Sequence, residues 1–339
     1  MCETLDLHRD TLTWMDVLQD QLARARSSGG VFARSTARPP WGMRLPGTIE
    51  LTVHVVLKGR AYVWLDNPAD ASELSAGDLA LVPGGPDHHL ADNTGTICVP
   101  HERFLEQRAG EEPSSHPDAS VFMCGAYRFR GDVGRGLLRS LPPILVLRPT
   151  ANDSLRQIIA LISEELTEPA PGQQTALDRL LDLLVVFAMR SAFQEGPTSP
   201  RWFQAARDPR LGPALHAIHS KPEVSWTVPQ LAALSGFSRP AFARNFQQAL
   251  GQSPMRYLTE WRMTLARDYL CTDELSITEI AQRVGYGTPN AFAATFQRHH
   301  GHPPGRWRDG QRKDSASASA RRNGHGAGRP APRAAPQRS

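Results

Sequence analysis

Two groups of side chains in this 339-residue sequence have types and spacings that could do chemistry. The first lies near the carboxyl end. Ser238, Arg239, Pro240, Ala243 and Arg244 form one set, and Thr288, Asn290, Ala293, Ala294 and Arg298 form another some fifty residues on. A guanidinium such as Arg244 can bond bidentately to a guanine edge, a carboxamide such as Asn290 to an adenine, and alanines can meet thymine methyls. The alternative for Arg244 is a phosphate contact or a salt bridge. The second group is His54 and His88, with His89, His101, Cys98 and Cys124 able to add a third ligand. A catalytic metal needs about three convergent imidazole, thiolate or carboxylate ligands and an open position. The competing readings are core residues without metal, and a thiol switch through Cys98 and Cys124, which needs an exposed thiol of low pKa.

The first group needs rigid elements to present it, and the sequence supplies one twice. Leu231–Pro254 and Ile280–Pro304 are copies. Ala232, Gly236 and Phe237 match Ala281, Gly285 and Tyr286 at an offset of 49, and Phe242, Phe246, Gly251 and Pro254 match Phe292, Phe296, Gly301 and Pro304 at an offset of 50. A slip inside a turn marks two copies of one supersecondary unit. Each copy predicts a helix opened by a capping box, Thr227 with Gln230 and Ser276 with Glu279. Each then breaks at a glycine and starts a second helix at Ser238 or Thr288. The paired phenylalanines at i, i+4 face inward. A helix over 254–270 joins the copies and is long enough to fix their separation. Two such second helices could enter successive major grooves about 34 Å apart. The second copy is poor in long polar side chains, so the first is expected to supply more of the sequence specificity.

Over 209–307 these residues resemble the AraC/XylS family of bacterial transcription regulators. The carrying pattern is Gly-aromatic-Ser, the paired phenylalanines, Gly251-x-Ser253-Pro254-x-x-Tyr257 and Arg262-Met263-x-x-Ala266. The resemblance implies DNA binding by two helix-turn-helix units, with the ten residues of the first group on the reading faces.

Upstream, the period turns strand-like from Val31. Strands are expected at 51–57, 61–65 and 79–82, separated by Lys58-Gly59-Arg60, Ser75-Ala76-Gly77-Asp78 and Pro83-Gly84-Gly85-Pro86. Short strands between Gly/Pro turns suggest a small β-barrel or jelly roll. Gly77-x5-Pro83-x-Gly85-x2-His88 is similar to the second cupin motif; the first motif is degraded to His54. The stretch 31–149 resembles the cupin-type sensor domain that precedes AraC-type DNA-binding domains. The resemblance implies effector sensing, and the pocket candidates are Trp41, His54, Trp64, His88, Cys124 and Tyr127. Neither a metal nor another cofactor is expected; a small-molecule effector is.

The expected fold class is α+β: a cupin-like β-barrel with a helical dimerisation segment, then an all-α domain of two helix-turn-helix units. The divisions read 1–150 sensor, 151–196 helical dimerisation segment, 197–208 linker, 209–308 DNA-binding domain and 309–339 disordered basic tail. Residues 5–25 read as an amphipathic helix and 101–119 as a mobile loop. The pattern over 173–195 is apolar nearly all round, and the family places its dimerisation helix here. Charge follows the same divisions: 18 Lys/Arg against 25 Asp/Glu in 1–200, 13 against 8 in 201–310, and 7 against 1 in 311–339. A basic C-terminal part suits a polyanion. The start lacks a signal-peptide pattern, no run is long enough for a membrane span, and four scattered cysteines make no disulfide framework. The expected setting is the cytoplasm. The expected partners are promoter or operator double-stranded DNA, an effector, a second copy of the chain and RNA polymerase, with no membrane. A sequence-specific regulator, an activator by family, is the leading reading. A metal-dependent cupin enzyme, a redox-responsive regulator and a sequence-independent nucleoid protein compete with it.

Overall fold

The computed structural model describes residues 17–18, 21, 27–47, 49–108, 117–129, 132–168, 170–195, 199–272 and 274–311. Among these residues ten strands lie in the first half of the chain: β1 Ser27–Ala37, β2 Gly42–Leu45, β3 Leu51–Lys58, β4 Arg60–Trp64, β5 Ser72–Ser75, β6 Leu79–Pro83, β7 His88–Ala91, β8 Val99–Pro100, β9 Ser120–Phe129 and β10 Leu145–Leu147. They form two five-stranded sheets, ordered β1-β9-β3-β6-β10 and β5-β4-β7-β2-β8. Pairing is antiparallel except between β2 and β8. This is the α+β architecture of a cupin-like sheet region followed by helices.

Strand alternation gives the first sheet two apolar faces. Val56, Ala80, Val82 and Phe122 turn inward, where they meet Trp41, Met43, Leu45, Ala61, Val63, Leu74, Leu90 and Phe104 of the second sheet and its flanks. Leu51, Val53, Val55, Leu79, Leu81, Met123 and Tyr127 turn outward. That outer face is covered by α3 Ser154–Glu165 and α4 Gln173–Glu195, through Leu155, Ile158, Ile159, Ile162, Leu181, Leu184, Val185 and Met189. A strand buried on both faces needs near-continuous apolar sequence, and β3 and β6 have it. The α3–α4 hairpin therefore buries most of the long apolar helix against the sheet. Leu161 and Leu183 remain about half exposed on its outer side.

Two short helices precede that hairpin, α1 His101–Arg108 and α2 Asp132–Leu138. The stretch 101–119 was expected as a mobile loop; its first eight residues are helical because Phe104 finds a place in the interior beside Trp41 and Phe122. Residues 109–116 lie outside the described residues, as do 312–339 of the basic tail and most of the expected helix over 5–25. Of that helix, Val17, Leu18 and Gln21 are helical and buried.

The second half is helical: α5 Arg201–Arg207, α6 Gly212–Ser220, α7 Val228–Leu234, α8 Arg239–Leu250, α9 Pro254–Thr272, α10 Ile277–Arg283 and α11 Pro289–His300. One core holds them, centred on Leu215, Leu231, Phe242, Phe246, Leu258, Leu265, Ile280, Phe292 and Phe296. The expected linker over 197–208 is corrected here: most of it is the helix α5. Its sequence is amphipathic, and it bridges the two halves. Trp202 and Phe203 pack on Phe193 of α4 at 5.9 and 5.2 Å, while Ala205 and Ala206 enter the C-terminal core. A second bridge joins α2 to α9, where Val133 enters the same core and its backbone N–H donates to Asp268 Oδ1 at 3.2 Å.

Candidate nucleic-acid interface and sensor interior

Both helix pairs form as their local sequence dictates. Thr227 and Ser276 begin α7 and α10 with complete capping boxes. The Ser276 hydrogen bonds to Glu279, side chain first and then backbone, hold the Glu279 carboxyl below its usual pKa. The turns follow at Gly236 and Gly285, whose φ of +61° and +78° are left-handed. The second turn is longer by Gly287, which accounts for the change of offset. Ser238 then caps α8 by accepting from Ala241 N–H, and Thr288 caps α11 by accepting from Ala291 N–H. Phe242, Phe246, Phe292 and Phe296 are fully buried. They turn the opposite faces of α8 and α11 to solvent.

On those faces Ser238, Arg239, Pro240 and Arg244 are exposed and Ala243 is half-buried. In the second unit Thr288, Asn290, Ala294 and Arg298 are exposed and Ala293 is half-buried. The structure thus brings each half of the expected set onto one helix. Three members have duties within the fold. The hydroxyls of Ser238 and Thr288 cap their helices, and Arg298 donates to Thr295 Oγ1 at 3.2 Å. Two residues were missed. Gln247 and Gln297, both exposed, extend the same faces by one turn at equivalent places in the two copies. Continuing the i, i+3, i+4, i+7 stripe from Pro240 and Asn290 would have found them.

Arginines also steady the turns. Arg210 lies over the Phe237 ring with its carbon 3.5 Å from the centroid, and it donates to Gly236 O. Arg262 of α9 lies 5.7 Å from the Tyr286 ring centre.

In the sensor half, four pocket candidates meet in the interior and two do not. Trp41 stacks on Phe122 at 4.5 Å. His54, His88 and Cys124 form one hydrogen-bonded chain. Its proton order follows from its end: Pro86 O can only accept, so His88 Nδ1–H donates to it at 3.0 Å. Burial lowers the pKa of both imidazoles and keeps them neutral. His88 Nε2 must then accept from His54 Nε2–H at 2.9 Å, and His54 Nδ1 accepts the Cys124 thiol proton at 3.0 Å. Burial pushes that thiol up to about 12. The chain is neutral, and every imidazole nitrogen in it has a protein partner. His54 and His88 turn their Nε2 atoms toward each other and so offer two convergent nitrogens, short of the three ligands a cupin metal needs. Among the described residues no group of three His, Cys, Asp or Glu is arranged to hold one.

Trp64 and Tyr127 are corrections to the pocket set. Trp64 alternates with the inward Val63, so it lies on the outer face of the second sheet and stacks on His89 at 5.2 Å. Tyr127 shares the parity of Met123, faces α4, and donates to Asp182 Oδ1 at 2.8 Å. Their aromatic character was legible in the sequence, but their side of the strand needed the register.

Residues 16–194 match the family model described as Cupin, and 231–310 match a Helix-turn-helix domain model. The chain is similar to the HTH-type transcriptional regulator AlkR of Acinetobacter baylyi, 28% identical over 79% of this chain and 90% of that one. A putative AraC-like transcription regulator of Streptomyces lividans is 27% identical over 87% of this chain and 98% of its own length. Among solved structures, the DNA-binding domain of AdpA in complex with a target DNA is similar at 31% identity and a TM-score of 0.30, covering 32% of this chain and 96% of that one.

Proposed function

The chain belongs to the AraC family of transcription regulators with an N-terminal cupin domain, and from that premise we propose how it works: it binds one specific duplex through α8 and α11 and answers to a small effector in the sheet interior. The observation that carries the DNA-binding part is the duplicated presentation of helix faces. Each unit buries its paired phenylalanines and exposes the opposite side, with Arg239 and Arg244 on the first and Asn290 on the second. Arg244 would read a guanine and Asn290 an adenine, each good pair discriminating by about 1–3 kcal/mol. The capping hydroxyls Ser238 and Thr288 and the flanking Arg298 suit phosphate contacts, which position without reading sequence.

The effector site keeps Trp41, His54, His88 and Cys124. What supports it is their convergence between the sheets, together with the tie of that interior to the helices outside. The first sheet shares its inner face with the site and its outer face with α4, where the Tyr127–Asp182 bond sits. From α4, Phe193 passes to Trp202 and Phe203 of α5, whose far side packs in the DNA-binding core. A coupling of about 1–3 kcal/mol along this route would change operator affinity roughly 5- to 150-fold. The half-exposed Leu161 and Leu183 support a homodimer on the α3–α4 face. Activation through RNA polymerase and a cytoplasmic setting complete the reading; no described helix is long and apolar enough to cross a membrane.

Selection of bound duplexes from a random library by the full-length chain tests this. The expected result is a defined motif that resists at least a 10³-fold excess of unrelated competitor DNA. Arg244→Ala should then weaken binding to that motif about tenfold or more while leaving the weak binding to unrelated DNA nearly unchanged. Enrichment of no motif would remove the specific-regulator reading in favour of sequence-independent binding.

A further inference from the structure

The two units are held to each other at one residue as well as by the rod between them. Arg262 lies in the middle of α9 and is half-buried. Its Nε donates to Pro222 O at 2.7 Å and its Nη2 donates to Val224 O at 2.8 Å. Both carbonyls belong to the loop between α6 and α7, part of the first unit. That loop is itself firm: Trp226 N–H donates to Val224 O, and the Trp226 indole donates to Lys221 O. The other side of the same guanidinium meets the second unit. A Cβ placed on Gly285 would lie 2.5 Å from Arg262 Nη2 and 2.8 Å from Glu223 O. The turn of the second unit therefore approaches both the arginine and the first unit's loop, and Tyr286 offers its ring to the guanidinium. Three segments converge on one planar side chain.

We propose that Arg262 is a positioning residue that fixes the placement of α11 relative to α8, and so sets the half-site spacing that the protein accepts on DNA. The inference rests on the DNA-binding reading above. Its physical basis is the guanidinium's shape. A fork of rigid donors bridges two carbonyls while its plane packs against a ring and a glycine; a lysine ammonium can do one of these at a time. Two recognition helices locked together must find their half-sites at one separation and one rotation. One added base pair changes both, by a tenth of a helical turn. Arg210 is the internal control. It also bonds a carbonyl and lies over an aromatic ring, but Gly236 and Phe237 both belong to the first unit, so it joins nothing across the pair.

The test uses the full-length chain and the duplex it selects, with one base pair inserted or deleted between the two half-sites. Wild type is expected to lose roughly tenfold or more on either change, the scale of a mismatched base pair. Arg262→Lys and Arg262→Gln should bind the parent duplex more weakly and lose under about threefold on the spacing changes. Gly285→Ala, which displaces the same guanidinium from the other side, should relax spacing in the same way. Arg210→Lys should keep the wild-type spacing penalty. Melting curves of each variant identify any that fail to fold, and the milder Lys change guards against that. Retention of the wild-type penalty by folded Arg262 variants overturns the inference, as does a wild-type chain indifferent to spacing. A wild-type chain that selects no motif fails the DNA-binding reading instead.

Discussion

His54 and His88 show how a side chain's neighbours decide its chemistry. As isolated residues they invite a metal; in the structure each nitrogen already has a hydrogen-bond partner. Their folded pKa values lie below the usual 6.5, so below that pH the unfolded chain binds more protons than the folded one. Stability then rises with pH through this range and is lost as pH falls. Melting temperatures measured from pH 8 to pH 5 should hold above about 7.5 and decline below about 6.5. The double change His54→Val with His88→Leu should flatten that decline, and a wild-type melting temperature that climbs on acidification would contradict the neutral chain. Cys124 belongs to the same argument. With its thiol pushed up to about 12 and its S–H held in a hydrogen bond to His54 Nδ1, it should resist iodoacetamide at pH 8 in the native protein, while the exposed Cys271 is alkylated. Peptide mapping by mass spectrometry reads both, and rapid native labelling of Cys124 would revive the thiol-switch alternative.

At the scale of elements, local chemistry carried most of the C-terminal half. Both capping boxes, both glycine turns and both phenylalanine pairs were legible because each depends on neighbours within one or two turns of helix. The glutamines at 247 and 297 needed only one more turn of the same stripe. The sensor half was legible in its strands and less so in their sides. Trp64 and Tyr127 were placed in the pocket because a residue's face depends on a register set by distant partners, here Tyr127 opposite Leu51. The helix α5 was hidden by the Gly/Pro/Ser run just before it, although its apolar Trp202, Phe203, Ala205 and Ala206 carry its packing. Contacts between elements set a further prediction. The turn at Gly77 has φ +95°, and a Cβ there would fall on the Arg156 guanidinium. Arg156 is on α3, and its guanidinium donates to Ala76 O in this turn at 3.4 Å. Gly77→Ala should destabilise the protein by about 1–3 kcal/mol in denaturant unfolding. The Arg156 guanidinium is the flexible end of its side chain and can move aside, so adding Arg156→Ala should recover little and leave the cost of the left-handed backbone, about 1–2 kcal/mol. Full recovery in the double variant would mean that the backbone is not strained.

For the whole molecule, the sequence divided the chain correctly into an acidic sheet half and a basic helical half, and it could not show how closely they are joined. The joint runs through two short helices: α2, whose Val133 N–H is held by Asp268, and α5, whose aromatic side meets Phe193. Neither has a motif, because a contact between halves leaves no local pattern. Under the proposed function, these bridges would give an effector in the interior a packed route to α8 and to the rod that carries α11. The route has a purpose only if both recognition helices engage one duplex together. Missing-base interference on the selected duplex tests that directly, since it reads the contact made to every base, purine or pyrimidine, one by one. The account predicts two clusters of interfering bases on one face of the duplex, centred about 10–10.5 base pairs apart, with Arg244→Ala weakening one cluster and sparing the other. A single cluster, or two on opposite faces, would contradict it.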